Sequence, residues 1–203
     1  MKKSRLMAAL ALTIFVGDVI TKYLAVAKLT YTFTAVHAET FGDQLRAFVG
    51  EKHLLERGLA TRPVMVIEQF AQFLYTQNPG AAFSFLAALG EKIRVPFFHL
   101  ITLLAVIFIV YYARKLREDQ RLLQVALALL LGGALGNGLD RLIRGYVIDF
   151  IAVHWFDPQW HNPARHFPTF NVADCGVTIG ISLLLVDSFL HRKEAAAPAV
   201  TAR

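Results

Sequence analysis

Two acids stand at the mouths of long apolar runs. Asp149 follows one of them in Tyr146-Val147-Ile148-Asp149-Phe150, and Asp174 opens the next in Asn171-Val172-Ala173-Asp174. Taken singly, Asp174 or Asn171 at the start of a helix reads as a cap. Taken together, the acids admit another chemistry. Two carboxylates in one partly desolvated pocket cannot both ionise cheaply, so they share a proton near neutral pH. The ionised acid then takes a proton from water while the protonated one polarises an amide carbonyl. No covalent intermediate and no metal is required. The reaction so served is aspartyl peptide hydrolysis at a membrane surface.

Other polar groups fall where apolar residues belong. An ionisable side chain at membrane depth costs about 2.5 to 3.5 kcal/mol on insertion scales, so each one needs a partner or a purpose. Asp18 and Lys22 lie one helical turn apart with the acid N-terminal, the better order for an ion pair. Asn137, Asp140 and Arg141 share one side of a helix, behind glycines 132, 133 and 136 that permit close helix approach. A structural ion pair and a small-residue packing face would explain these separately. Their convergence toward one side of the membrane, with Asp149 and Asp174, favours a common site.

Four apolar stretches must position these residues. The 203-residue chain is 56% hydrophobic and 18% charged, with a mean hydropathy of +0.48, which argues against a soluble globular enzyme. Spans are predicted over about 6–27, 96–112, 122–143 and 172–190, each long enough to cross a bilayer. Lys2, Lys3 and Arg5 precede the first span. Arg114, Lys115, Arg117 and Arg121 fill the turn between the second and third, and Arg192 and Lys193 follow the fourth. The positive-inside rule places both termini in the cytoplasm and the acid pair at the outer face. The net charge of +6 is therefore topology, and no nucleic-acid partner is implied. A cleavable signal peptide is the alternative for the first segment, with Ala25-Val26-Ala27 as its cleavage box. Asp18 and Lys22 inside the apolar run favour a retained helix.

The outer parts read less simply. In residues 29–34 aromatics alternate with threonines at the period of a strand, and 64–75 reads similarly. Between them, Leu45, Phe48, Val49, Leu55 and Leu59 suggest a short amphipathic surface helix over 43–60. Residues 83–90 suggest another helix, and 194–203 a frayed, disordered tail. The chain is expected to form a single membrane domain, with an outer subdomain over 28–95 and an outer loop over 144–171.

Five motifs occur in order: Asp18-Val-Ile-Thr-Lys22, Asn78-Pro-Gly-Ala-Ala-Phe83, Gly132-Gly-Ala-Leu-Gly-Asn-Gly-Leu-Asp-Arg141, Val147-Ile-Asp149-Phe150 and Phe167-Pro-Thr-Phe-Asn-Val-Ala-Asp174. Over residues 6 to 190 they strongly resemble the motif series of bacterial lipoprotein signal peptidase, also called signal peptidase II. The resemblance implies a multi-pass endopeptidase of the bacterial inner membrane. It would remove the signal peptide from diacylglyceryl-modified prolipoproteins by cutting just before the lipidated cysteine. It implies a catalytic pair at Asp149 and Asp174, with no cofactor. Asn78, Gly80, Asn137, Asp140, Arg141, Asn171 and Ala173 would line or brace the site, supported by Asp18 and Lys22. The implied fold is all-α, with four transmembrane helices beneath a small extracytoplasmic β-cradle and a short surface helix. Membrane lipid would be a partner and globomycin-type cyclic peptides the expected inhibitors. The chain departs from the family pattern between Tyr31 and Val64 and in the loop His154 to Pro163, both longer than the cradle needs.

Rival chemistries are weaker. Cys175 adjoins Asp174, but nothing fixes an imidazole beside it or lowers its thiol pKa. His154, His161 and His166 match no usual zinc-ligand spacing. A proton-coupled transporter would also own intramembrane acids but predicts them spread through the bilayer depth. A non-catalytic scaffold would tolerate loss of either acid. Trp155 and Trp160 suit the headgroup level.

Overall fold

A sequence of long apolar runs separated by charged turns yields long helices, because in lipid only an intra-segment ladder satisfies the backbone. The computed structural model describes residues 3–50, 61–80, 90–155 and 166–196. Among these, α1 is Lys3–Leu29, α4 Glu91–Lys115, α5 Arg121–Arg144 and α6 Val172–Ala196. All four are long and apolar enough to cross a membrane. Short helices α2 (Thr32–Ala35) and α3 (Phe41–Gly50) follow α1. Strands β1 (Val64–Ile67), β2 (Ala71–Asn78), β3 (Val147–His154) and β4 (His166–Phe170) form one antiparallel sheet in that order.

The bundle is apolar outside and polar within. Leu12, Val16, Ile20 and Leu24 lie along one exposed face of α1, and α4 exposes Leu100, Leu104 and Phe108. Asp18, Lys22, Gln124 and Asp140 are buried. This inversion is what a lipid surround selects, since a charge facing hydrocarbon is costly while an exposed Leu is not. Helix α5 lies at the centre, against α1, α4 and α6. Its glycines are the reason the axes come so close. A Cβ on Gly132 would sit 2.6 Å from the Ala11 carbonyl of α1, and one on Gly133 would sit 2.5 Å from the Ala173 carbonyl of α6. At the far end, Gly145 at φ 79° closes α5 by a left-handed cap, its N–H bonding the Arg141 carbonyl.

The sheet differs from the expectation. Residues 29–34 are not a strand. Helix α1 continues to Leu29, Thr30 forms a lone bridge to Thr61, and α2 begins at Thr32. The Thr30 hydroxyl donates to the Val26 carbonyl at 2.6 Å and accepts from the Thr32 N–H at 3.1 Å. The buried threonines thus serve the helix junction, and their alternation with aromatics is not a pleat. Residues 64–75 are two strands, not one, turned over at Glu68-Gln69-Phe70 with Gln69 at φ 60°. The other half of the sheet comes from the connection between α5 and α6.

Strand alternation gives β3 two roles. Ile148 and Phe150 enter a core with Val26, Phe33, Phe48 and Tyr75, whereas Val147 and Asp149 face the opposite side. Helix α3 turns Ala47 and Phe48 into that core and leaves Phe41, Leu45 and Val49 exposed. The single apolar face expected to join Leu45, Phe48 and Val49 is therefore split. Helix α6 runs on through Ala196, past the expected start of the tail at 194. Leu55, Leu59, residues 83–89 of the helix expected over 83–90, Trp160 and His161 lie outside the described residues.

Candidate active site

Asp149 and Asp174 reach one site by different local rules. Asp149 is carried by the pleat of β3, opposite Thr76 of β2. Asp174 is carried by the first turn of α6, where Asn171 is the cap. The Asp174 N–H donates to Asn171 Oδ1 at 2.9 Å, and Asp174 Oδ2 accepts from the Asn171 N–H at 3.1 Å. This is the reciprocal arrangement of a capping box with Asp in place of Glu. The capping reading of this segment is therefore correct, and it does not compete with chemistry, since Asp174 Oδ1 is left to a different partner.

Three asparagine amides hold the two carboxylates. Asn171 Nδ2 donates to Asp149 Oδ1 at 2.7 Å, Asn78 Nδ2 to Asp149 Oδ2 at 2.9 Å, and Asn137 Nδ2 to Asp174 Oδ1 at 2.8 Å. With the Asn171 N–H on Asp174 Oδ2, every carboxylate oxygen has a donor. An amide can face either way, so its orientation must be set by its other end. Each of these is set by a group that can only donate: the Gly80 N–H on Asn78 Oδ1 at 3.2 Å, the Lys22 ammonium on Asn137 Oδ1 at 3.0 Å, and the Asp174 N–H on Asn171 Oδ1. The amide N–H groups are thereby forced toward the acids.

Behind this layer is a buried charge cluster. Lys22 Nζ lies 2.7 Å from Asp18 Oδ2 and 2.9 Å from Asp140 Oδ2. Asp18 Oδ1 accepts the Ala173 N–H at 2.9 Å, fixing the first turn of α6. Asp140 Oδ2 also accepts the Ile148 N–H at 3.1 Å, fixing the strand one residue before Asp149. The packing glycine Gly136 makes the approach possible, because a Cβ there would meet Asp18 Oδ2 at 2.5 Å. Asp18, Lys22, Asp140 and Ala173 thus act on the acids through others, while Gly80 sets Asn78.

Both acids face a cavity of about 750 Å³ lined by Asn78, Asn137, Arg141, Val147, Phe167 and Ile179 among others. Arg141 lies over the Phe98 ring at 4.5 Å and presents a cation to this space. Cys175 also lines it, and no histidine does among the described residues. His154 and His166 pair with each other at the far end of β3, ring centroids 6.0 Å apart. The Asp149 carboxyl is pushed up to about 7, chiefly by burial and further by the Asp174 charge, against the opposing bonds from Asn78 and Asn171.

Sequence reasoning missed Arg144, which is buried and ion-paired to Asp140 at 2.5 Å. Its spacing from Asp140 is the same helical turn that flags Asp18 and Lys22, so the signal was present. It also missed the Tyr75 and Tyr146 hydroxyls, 3.5 Å apart beneath the sheet.

Comparison with known proteins bears on this arrangement. A family model described as signal peptidase (SPase) II matches residues 10–190. A lipoprotein signal peptidase of Anaeromyxobacter sp. (strain Fw109-5) is 46% identical over 184 residues, covering 91% of this chain and 84% of that one. One of Geobacter sulfurreducens is 43% identical over 133 residues, covering 66% of this chain and 78% of its own. A solved structure described as a bacterial membrane enzyme superposes with a TM-score of 0.64 at 27% identity, covering 97% of this chain and 94% of that one.

Proposed function

The chain belongs to the signal peptidase II family, and from that premise we propose that it removes the signal peptide from diacylglyceryl-modified prolipoproteins by aspartyl catalysis at Asp149 and Asp174. As a member of that family it is a membrane protease that acts on prolipoproteins. The cut falls just before the lipidated cysteine. The observation that carries the aspartyl reading is the four-donor cradle around two carboxylates that face one cavity.

The pair divides the work by environment. Asp149 is buried in β3, and its raised proton affinity lets it hold the shared proton and donate it toward the scissile carbonyl. Asp174, in the first turn of α6, takes the proton of the attacking water. The amides that bind both acids cost no reorganisation when charge moves between them. Arg141 lines the same cavity and binds the extended substrate backbone through its carbonyls. A helical amide has its carbonyl already bonded, so the cut requires chain that has left the helix. The mixed apolar lining and polar floor of the cavity suit such a segment at the lipid boundary, and suit globomycin-type cyclic peptides as inhibitors.

The site lies at the sheet-bearing end of the bundle, opposite the basic turn between α4 and α5. With that turn and both termini in the cytoplasm, the acids work at the outer face of the bacterial inner membrane. The test is cleavage of a diacylglyceryl-modified prolipoprotein by purified protein in detergent. Asp149→Asn and Asp174→Asn, each folded, should abolish it, and a chelator or a thiol reagent should not. Near-normal turnover by either variant would overturn the assignment.

A further inference from the structure

The segment between α1 and β1 contains α3, which the resemblance leaves without a role. One buried side chain connects it to the cluster behind the acids. Arg144, 4% exposed, donates from Nη1 to Asp140 Oδ1 at 2.5 Å and from Nη2 to the Phe48 carbonyl at 2.5 Å, with its guanidinium 4.2 Å above the Phe48 ring. Phe48 is among the last residues of α3, whose terminal carbonyls have no partner within the helix. Arg144 therefore caps α3 with a cation at the negative end of its dipole and holds Asp140 with the other arm.

We propose that Arg144 is a positioning residue for the cleavage reaction, and that α3 is the brace against which it holds Asp140, and through Asp140 the strand carrying Asp149. The inference rests on the aspartyl reading above. Asp140 divides its oxygens between two tasks. Oδ1 takes Arg144, and Oδ2 takes both Lys22 and the Ile148 N–H. Asp18, Lys22, Asp140 and Arg144 form a neutral buried quartet. Without Arg144 the quartet carries a net negative charge, and Lys22 must neutralise Asp140 and Asp18 alone. The Lys22 ammonium is then drawn from Asn137 Oδ1, which fixes the amide on Asp174. The carboxylate set by Ile148 loses its anchor to α3 at the same time. Both acids are affected although Arg144 contacts neither.

The test compares Arg144→Met and Arg144→Lys with the native chain by hydrogen exchange and steady-state cleavage, both in detergent. Arg144→Met should raise exchange of the Ile148 amide by about tenfold or more and leave the amides of α4 unchanged. Cleavage should fall about tenfold in kcat with little change in KM, because the cavity lining is intact. Arg144→Lys restores the charge but cannot span Asp140 and the Phe48 carbonyl together, so it should recover only part of both. Native Ile148 exchange and native kcat in folded Arg144→Met would overturn the proposal. Should that variant fail to fold, Arg144→Met combined with Asp140→Asn removes the stranded charge, and its Ile148 exchange decides instead. Native exchange there counts against the brace. Exchange at Ile148 does not depend on turnover, so failure of the acid assignment and failure of the brace give different results.

Discussion

Asn171 joins the two acids: its Nδ2 lies 2.7 Å from Asp149 Oδ1 while its main-chain N–H bonds Asp174 Oδ2 at 3.1 Å. One residue thereby fixes the mutual position of a strand and a helix that share no covalent neighbour. Asn171→Ala removes the cap of α6 and a donor to Asp149 together. The loss of the cap costs about 1 kcal/mol, which the folded protein tolerates. The loss of the shared donor should lower kcat by about ten- to a hundredfold. Thermal unfolding and turnover on the same preparation separate these effects, and turnover that falls only with the folded fraction would contradict the joining role.

The pH dependence follows from Asp149. Its folded-state affinity, near 7, exceeds that of an unfolded Asp at 3.8, so the folded chain binds the proton more tightly. The contribution of this group to stability is therefore complete below about pH 4 and is lost as pH rises through 7, a change of at most about 4 kcal/mol. Asp149→Asn keeps a neutral side chain at every pH. It should flatten that slope, while its own N–H set against the Asn78 or Asn171 donor adds a cost that does not change with pH. Unfolding midpoints at pH 5 and 8 test this. Native activity should decline above about pH 7, as the pair loses its shared proton.

The close approach at Gly136 predicts another asymmetry. A Cβ there meets Asp18 Oδ2 at 2.5 Å and Ala173 Cβ at 3.2 Å, while one on Gly17 meets nothing within 4 Å. Gly136→Ala should destabilise by about 1 to 3 kcal/mol through overpacking and push Asp18 off the Ala173 N–H. Gly17→Ala, also within a helix, should be neutral or stabilising by up to about 1 kcal/mol. Unfolding midpoints of equal sign for the two would contradict the packing account.

The spans were legible because hydrophobic length is a one-dimensional signal, and the Asp18–Lys22 pair because helical neighbours are set by spacing alone. The sheet was not. Thr30 and Thr32 mimic a strand's alternation while their hydroxyl and amide bond across a helix junction. Half of the sheet lies after α5, where nothing local to Val147–Phe150 names Ala71–Asn78 as its partner. Asn78 carries no signal of its own and entered only through the family motif. Its place beside Asp149 depends on the register that sets it opposite Val147. Arg144 stands one helical turn from Asp140 and that pair was legible, but its second bond goes to the Phe48 main-chain carbonyl, which any residue supplies.

Lys22 separates stability from chemistry within one buried cluster. Its ammonium serves Asp18, Asp140 and the Asn137 carbonyl, at 2.7, 2.9 and 3.0 Å. Lys22→Met strands a buried negative charge and should cost about 3 to 5 kcal/mol, enough to unfold a marginal membrane enzyme. Adding Asp18→Asn restores neutrality, and the new amide oxygen still accepts the Ala173 N–H. Much of the stability should then return. Activity should return less completely, because Asn137 Oδ1 keeps only the neutral donor Asn171 Nδ2 at 3.1 Å, and its N–H is held toward Asp174 less firmly than with the ammonium in place. Stability measured by unfolding and turnover measured per folded molecule should therefore diverge in the double variant. Recovery of both together would reduce Lys22 to a packing ion pair and leave the orientation of Asn137 to Asn171.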